Sequence, residues 1–273
     1  MENKSFNLLD RFNQWLKESV SIKLGTIGFL MILLLIPNSW IQDLISERQQ
    51  RAQNVLNEVS EKWSGEQQLT GPILVIPFKY QQVVDKGNDR KEILEFTDQA
   101  FFLPENLNVN GAVHPEVLHR GIFDAVVYQA DLQWTASFQS PDFKKLKIDE
   151  TEVLWEEAKL IFGIRDLRGI RDNPILKVGD LDYTTEPSNH LNLKEKDNHY
   201  SEDETGIEAK LGWTGPGDFK NDISLSLHLK GSRRLAFSPA GKTTTVSLTG
   251  EWPDPSFDGD FLPESRKKIF AFA

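Results

Sequence analysis

The chain has 273 residues, 39% of them hydrophobic and 26% charged, which is the composition of a globular protein and not of a disordered one. Its formal net charge of -10 argues against nucleic-acid binding, which usually needs a basic surface. Cysteine is absent, which excludes disulfides, thiolate zinc sites and cysteine nucleophiles.

The first predicted element is a transmembrane helix at residues 24–41. These 18 residues carry no charged side chain, and as a helix they would be about 27 Å long, close to the thickness of a bilayer core. Trp15 and Trp40 flank the run, as aromatic residues do at membrane interfaces. A cleaved signal peptide would need a small-x-small site after the run, and a core helix would be shorter or amphipathic. Both remain alternatives.

The basic residues around this run predict its orientation. Only Arg48 and Arg51 follow it before residue 60, whereas four basic residues precede it: Lys4, Arg11, Lys17 and Lys23. Positive charge favours the cytoplasmic side. We therefore predict a cytoplasmic segment at 1–23, the transmembrane helix at 24–41, and an extracytoplasmic remainder.

The next element is an amphipathic helix at residues 42–65. Glu47/Arg51 and Glu58/Lys62 are favourable i,i+4 pairs, and Gly65 ends the pattern. The apolar residues at helical spacing are Ile41, Leu44, Ile45, Ala52, Val55, Leu56, Val59 and Trp63. This helix either docks on the core of its own domain or binds a partner.

Residues 66–273 are predicted to form a β-rich domain, because the hydrophobic period changes to two. The predicted strands include 73–76, a hairpin from 80–84 and 93–96, and strands at 126–138, 223–230 and 243–249. The fold class is thus a mainly β (α+β) extracytoplasmic domain, anchored in a membrane by one N-terminal transmembrane helix.

Two further segments interrupt the strands. Residues 153–162 lack Gly and Pro and are predicted as a helix with Thr151 as its N-cap, although the second half also fits a strand. Residues 186–205 are polar and charged, which predicts an exposed loop or a mobile insertion.

Residues 236–243 (AFSPAGKT) match a permissive form of the phosphate loop. That chemistry needs several glycines and a following helix, whereas only Gly241 is present and a strand-like segment follows. The segment is predicted to be a turn between two strands.

The titratable residues show no pattern typical of a catalytic or metal site. There is no HExxH pair among the five histidines (His114, His119, His190, His199 and His228) and no GxSxG elbow. The acidic pairs Glu156/Glu157 and Glu202/Asp203 are typical of a solvated surface. We assign no catalytic, cofactor-binding or metal-binding residue and expect no cofactor.

Large aromatic residues recur near the end of the chain, in a stretch rich in proline. They are Trp213, Trp252, Phe257 and Phe261. They are interpreted as core anchors of a loop, with a partner surface or a membrane-interface anchor as the alternative.

Several unusual segments together resemble the CreD family of bacterial inner-membrane proteins, also described as cell-envelope integrity proteins. They are LISER at 44–48, GPILVIP at 71–77, DLRGI at 166–170, FSPAGKTT at 237–244 and WPDPSFDGDFLP at 252–263. The resemblance implies an inner-membrane protein with a periplasmic β-rich domain. It also implies links to the Cre two-component system, colicin tolerance and envelope stress. The family has no established catalytic activity or cofactor.

Family members continue with further transmembrane helices, and this sequence holds no second apolar run of spanning length, so a truncated member is expected. The predicted function is a non-enzymatic envelope-integrity and stress-response protein with a periplasmic interaction domain. Its predicted partners are the lipid bilayer and an unknown envelope protein. One alternative is a component of a transport or channel assembly whose remaining helices are missing. The other is a periplasmic hydrolase, which would need a pocket with convergent titratable groups.

Overall fold

The computed structural model describes residues 20–85, 91–188, 205–252, 255–259 and 265. The side chains of Leu35, Ile36, Ser39, Asp85 and Lys91 lie outside this description. The chain divides into two compact units, Met1–Leu56 and Asn57–Ala273. Trp15 and the basic residues Lys4, Arg11 and Lys17 therefore fall outside the described residues.

A single helix, α1, spans Val20–Trp63 and includes most of both predicted helical segments. Pro37 lies inside it, and the ion pairs Glu47–Arg51 (2.6 Å) and Glu58–Lys62 (2.7 Å) bridge successive turns. Among the residues that the structure describes, no helix is both long and apolar enough to span a bilayer. The transmembrane assignment of residues 24–41 stays a prediction.

Among the described residues of the second unit, more than half lie in twelve strands, so the mainly β prediction is confirmed. They are β1 (Gln67–Asp85), β2 (Lys91–Phe102), β3 (Asn106–Arg120), β4 (Phe123–Ser137), β5 (Lys159–Ile164), β6 (Ile175–Val178), β7 (Leu181–Thr184), β8 (Glu186–Ser188), β9 (Gly206–Lys210), β10 (Asp222–Ser232), β11 (Leu235–Phe237) and β12 (Thr243–Gly250). Residues 189–204, most of the predicted polar insertion, lie outside the described residues.

The strands form two six-stranded sheets. The first has the order β11-β1-β5-β9-β8, with β2 also paired to β1, and the second has the order β12-β3-β4-β10-β6-β7. The predicted hairpin is β1 and β2, which pair antiparallel from Leu74↔Phe102 to Asp85↔Lys91. The predicted strands at 126–138, 223–230 and 243–249 are confirmed as β4, β10 and β12.

The two sheets share one hydrophobic core. Alternate residues of β4 and β10 point into it, as the period of two predicts. Trp134, 3% exposed, lies near its centre, with its ring centroid 6.1 Å from that of Phe162 in the first sheet. Side-chain contacts across the sheets therefore hold the sandwich together.

The helix predicted at residues 153–162 is wrong. Two short 3₁₀ turns, Glu150–Glu152 and Trp155–Glu157, lead into strand β5. Asp149 caps the first turn by accepting from the amide of Thr151, the residue predicted as the cap. Strand β5 is buried on both faces, and such a strand is a continuous apolar run that hydrophobic period alone does not distinguish from a helix.

We expect Trp134→Asp to lower the free energy of unfolding by about 4 kcal/mol or more, because it buries an unpaired charge and empties a large volume. Thr135→Asp on the same strand is the matched control, since Thr135 is exposed on the opposite face and should cost less than about 1 kcal/mol. Urea unfolding followed by tryptophan fluorescence measures both variants. Equal losses in the two would show that Trp134 does not belong to the core.

Candidate functional site

The segment that resembles a phosphate loop is a turn between strands, as predicted. It joins β11 of one sheet to β12 of the other, and no helix follows it. Thr244 Oγ1 accepts from the Gly241 amide (3.1 Å), and Lys242 Nζ lies 2.9 Å from Glu105 Oε2. The lysine that would bind a phosphate is thus already paired with a carboxylate.

The described histidines lie apart, each beside one aspartate. His119 Nδ1 is 2.7 Å from Asp124 Oδ1, and His228 Nδ1 is 2.9 Å from Asp172 Oδ2. His114 lies more loosely, 3.7 Å from Asp131. Among the described residues no group of three or more His, Asp or Glu side chains is placed to hold a metal ion. His190, His199, Glu202 and Asp203 lie outside the described residues.

The late aromatic residues do not share one environment. Trp213 is buried and packs against Trp155 and Phe219, as expected of a core anchor. Trp252 and Phe257 are exposed, and Phe261 lies outside the described residues. Glu156 and Glu157 are exposed in a 3₁₀ turn, as predicted for a solvated pair.

The most organised polar site is a cluster where α1 ends and β1 begins, which we call the polar joint. It contains the three buried polar residues of the described chain: Ser64, Gln67 and Ser232. Gln67 Nε2 donates to Asp166 O (2.9 Å) and is within 3.2 Å of Lys230 O. Ser232 Oγ donates to Ser64 O (2.8 Å). Buried polar groups without such partners would each cost free energy.

Asp166 is the charged centre of the polar joint. Its carboxylate accepts from the Gly65 amide (2.8 Å), from Ser64 Oγ (3.1 Å) and from the Arg168 guanidinium (2.8 and 2.9 Å). Partial burial alone would raise the pKa of the Asp166 carboxyl. The hydrogen bonds from Arg168 and Gly65 outweigh burial and hold this pKa well below its usual range.

The same cluster holds the last turns of α1 against the sandwich. Arg168 Nη1 donates to the carbonyl of Glu61 (3.0 Å), one of the last carbonyls of the helix. Ser60 Oγ lies 2.8 Å from Ser232 Oγ, and the Lys230 ammonium lies 5.3 Å from the ring centroid of Trp63. The joint can therefore fix a helix end.

Two glycines allow the residues of the polar joint to pack closely. A Cβ on Gly169 would meet Gln67 Nε2 and Lys230 O, and a Cβ on Gly231 would meet the hydroxyl of Tyr128. That hydroxyl donates to Arg234 O (2.7 Å), and burial raises the pKa of the Tyr128 phenol. Residues 166–170 carry part of the family resemblance, but their sequence indicates no role for them. Arg168 lies only two residues from Asp166, whereas its partners Ser64 and Gly65 lie about a hundred residues away, so local spacing did not indicate the joint.

A second surface is an apolar arm formed by the distal part of the β1–β2 hairpin, residues 79–84 and 92–97. Strand β1 pairs with β5 only as far as Val75, so the arm beyond it is two-stranded. The rings of Tyr80 and Phe96 stack at 5.7 Å, and Val83 and Ile93 are exposed. The Tyr80–Phe96 pair and the Val83–Ile93 pair lie on opposite faces of the ribbon, so the arm exposes apolar side chains on both of its faces. Exposed apolar side chains on a soluble domain can mark an interaction site.

The comparisons with known proteins agree on one family. The family model described as "Inner membrane protein CreD" matches residues 19–270. The protein called "Inner membrane protein CreD" from Escherichia coli (strain K12) is 29% identical over 259 residues, which is 92% of this chain and 53% of the relative. The chain thus spans about half the length of the curated relative it matches. No solved structure matches.

We expect Asp166→Asn to lower the free energy of unfolding by about 2 kcal/mol near neutral pH, because charge-assisted hydrogen bonds are lost. A depressed carboxyl pKa stabilises the fold above the unfolded pKa of about 4, and this stability is lost as pH falls toward the folded pKa. The gap between wild type and variant should therefore shrink below about pH 4. Unfolding curves between pH 3 and 7 measure it, with Asp180→Asn, at an exposed position, as the control. A gap independent of pH would contradict the role of this charge.

We expect Gly169→Ala to lower the free energy of unfolding by about 1 to 3 kcal/mol, because the added methyl group would overlap Gln67 and the Lys230 carbonyl. Gly217→Ala is the matched control, since nothing lies within 4 Å of a Cβ at that position. Thermal melting compares the two. If both variants melt alike, the polar joint is not closely packed.

Proposed function

Because the chain belongs to the CreD family of inner membrane proteins, we propose that residues 24–41 anchor it in the inner membrane and that the β-rich part is a periplasmic binding domain. In this proposal residues 1–23 lie in the cytoplasm, residues 42–65 form the helix that leaves the membrane, and residues 66–273 form the domain. The bias of basic residues toward the N-terminal flank supports this orientation.

The observation that carries the anchor is the exposure of large apolar side chains along a stretch without charge. Ten of them between residues 24 and 41 are exposed: Leu24, Ile27, Phe29, Leu30, Met31, Ile32, Leu33, Leu34, Trp40 and Ile41. Water around so many apolar side chains is unfavourable, and a bilayer core would remove them from it. The inner-membrane description of the family agrees with this reading.

For the domain we propose binding as the function. The CreD family is not known as an enzyme family. The apolar arm offers a surface for an envelope protein, because strand ribbons with exposed aromatic residues are suited to partner contacts. Links to the Cre two-component system, to envelope stress and to colicin tolerance are proposed from the family resemblance.

A second candidate is a component of a transport or channel assembly. The length of the E. coli relative favours it, since nearly half of that protein lies outside the matched region. This candidate expects the chain to act only together with a polypeptide that corresponds to the unmatched part. The binding proposal expects the domain to retain its partner without it.

The topology is tested by protease access with a tag placed after Ala273. We expect protease to remove the tag in spheroplasts and to leave it intact in inverted inner-membrane vesicles. Digestion in the inverted vesicles alone would overturn the periplasmic placement.

The anchor is tested by placing two arginines in the apolar run. Leu30→Arg with Leu33→Arg should move the chain out of the carbonate-washed membrane fraction, since each arginine costs about 2.5 to 3.5 kcal/mol inside a bilayer. Gln50→Arg with Gln53→Arg adds the same charge at the same spacing outside the run and should leave the chain in the membrane. Equal retention of both variants would contradict an anchor at residues 24–41.

A further inference from the structure

Strand β12 presents an unpaired edge. It is the end strand of the second sheet, parallel to β3, and no described strand pairs with its other side. Seven of its eight residues are exposed. The backbone N–H and C=O groups along such an edge are a template for another strand.

The other strands at the ends of the two sheets are protected in ways that β12 is not. Strands β7, β8 and β11 are only four, three and three residues long. Strand β2 is long but carries charged residues, among them Glu95 and Asp98. Short edges and edge charges are the usual devices against strand pairing. Strand β12, with the sequence TTTVSLTG, has no charge, no proline and mostly residues that favour strands.

Two apolar side chains of β12 on the side that faces the core are only partly covered by the described residues. Val246 and Leu248 lie opposite Val109 and Gly111 in the register with β3, so they share the face of the buried Val109. They are nevertheless 39% and 42% exposed. An added strand would bury both.

We infer that β12 pairs with β12 of a second copy of this chain, antiparallel, across a two-fold axis through Ser247. Such an axis stands perpendicular to the joined sheet, so residues directly opposite each other must point to the same face. An even-numbered residue then lies opposite an even-numbered one, and an odd-numbered residue opposite an odd-numbered one. With the axis at Ser247, each Val246 lies opposite the second copy's Leu248, and each Thr245 lies opposite the second copy's Thr249.

This register gives favourable side-chain contacts on both faces of the joined sheet. The core-facing side gains two Val–Leu contacts, and the outer side gains Thr–Thr pairs, which are favourable across strands. With the axis at Val246 instead, each Leu248 would lie opposite Thr244. The apolar side chains therefore favour the Ser247 axis.

Charge also favours a second copy at this edge. Each chain has a net charge of -10, so most surfaces of two copies would repel each other. Residues 243–250 carry no charge, and the strand is bracketed by Lys242 and Glu251. Antiparallel pairing brings Lys242 of each copy to the end where the second copy's Glu251 lies. Lys242 pairs with Glu105 of its own chain, and its side chain is still 73% exposed, so the same ammonium can also approach that glutamate.

The inference goes beyond the proposed binding domain and does not depend on which side of the membrane that domain lies. Its test is a cysteine cross-link, because the native chain has no cysteine. Residues opposed in an antiparallel pair have Cα atoms about 4.5 to 5.5 Å apart, within the range of a disulfide. We expect the full-length Ser247→Cys variant, purified in detergent and mildly oxidised, to run mainly as a covalent dimer.

The matched control is Asn110→Cys, which faces the same side one strand further in, directly opposite Ser247. Two such cysteines would lie about 14 Å apart in the pair and should stay monomeric. Thr245→Cys alone should also stay monomeric, while Thr245→Cys with Thr249→Cys in one chain should cross-link. This pattern is specific to the Ser247 axis.

A second measurement does not rely on cysteine. Sedimentation of the full chain in detergent should show a dimer, and Val246→Lys should weaken its affinity about tenfold or more, because lysines block strand edges. Asn108→Lys adds the same charge away from the edge and should leave the dimer unchanged. Thermal melting confirms that each variant is folded. A folded monomeric wild type, or equal cross-linking of Ser247→Cys and Asn110→Cys, would overturn the inference.

Discussion

The carboxylate of Asp166 is the interaction on which the passage from helix to sheet depends. Only residues 64–66 separate the end of α1 from the start of β1, so the chain passes from helix to strand within three residues. The Asp166 carboxylate accepts hydrogen bonds from the Gly65 amide and the Ser64 hydroxyl in that short link. It also pairs with the Arg168 guanidinium, which donates to the Glu61 carbonyl. Gln67 extends the network to β10 through Lys230 O. One charge thus sets where the helix stops and how the first strand enters its sheet.

An apolar joint of similar volume would hold these elements together at least as strongly, since buried polar networks often add little net stability. Apolar contacts have no direction, however, and would allow the helix end to rotate or slide by a residue. The hydrogen bonds of Gln67 form only in one arrangement of the surrounding backbone. Gly169 and Gly231 have no side chain, and a Cβ at either position would overlap the groups packed around Gln67. We attribute the polar composition of the joint to this specificity.

The sequence predicts those parts of the fold whose signal is local. The alternation in β4 and β10 is visible because one face of each strand meets the core and the other meets water. Strand β5 was predicted only as the alternative to a helix, because it is buried on both faces, which removes the alternation. The polar joint escapes prediction for another reason. Ser64, Asp166 and Ser232 are far apart in the chain, and they meet only because β1 pairs with β5 and the second sheet, which contains β10, packs against the first. The strand that follows Gly241-Lys242 was predictable, because its β-branched residues are a local signal.

The distribution of charge separates surfaces that meet water from surfaces that meet another body. A chain with a net charge of -10 and 26% charged residues can solvate nearly all of its surface. Two exposed stretches nevertheless have no charge at all, residues 24–41 and residues 243–250. The first exposes apolar side chains, whose cost in water grows with their area. The second exposes backbone hydrogen-bonding groups along an edge, which water satisfies but another strand satisfies while also burying Val246 and Leu248. The two stretches are therefore suited to different surroundings. Residues 24–41 suit the apolar interior of a bilayer, and residues 243–250 suit pairing with a second strand.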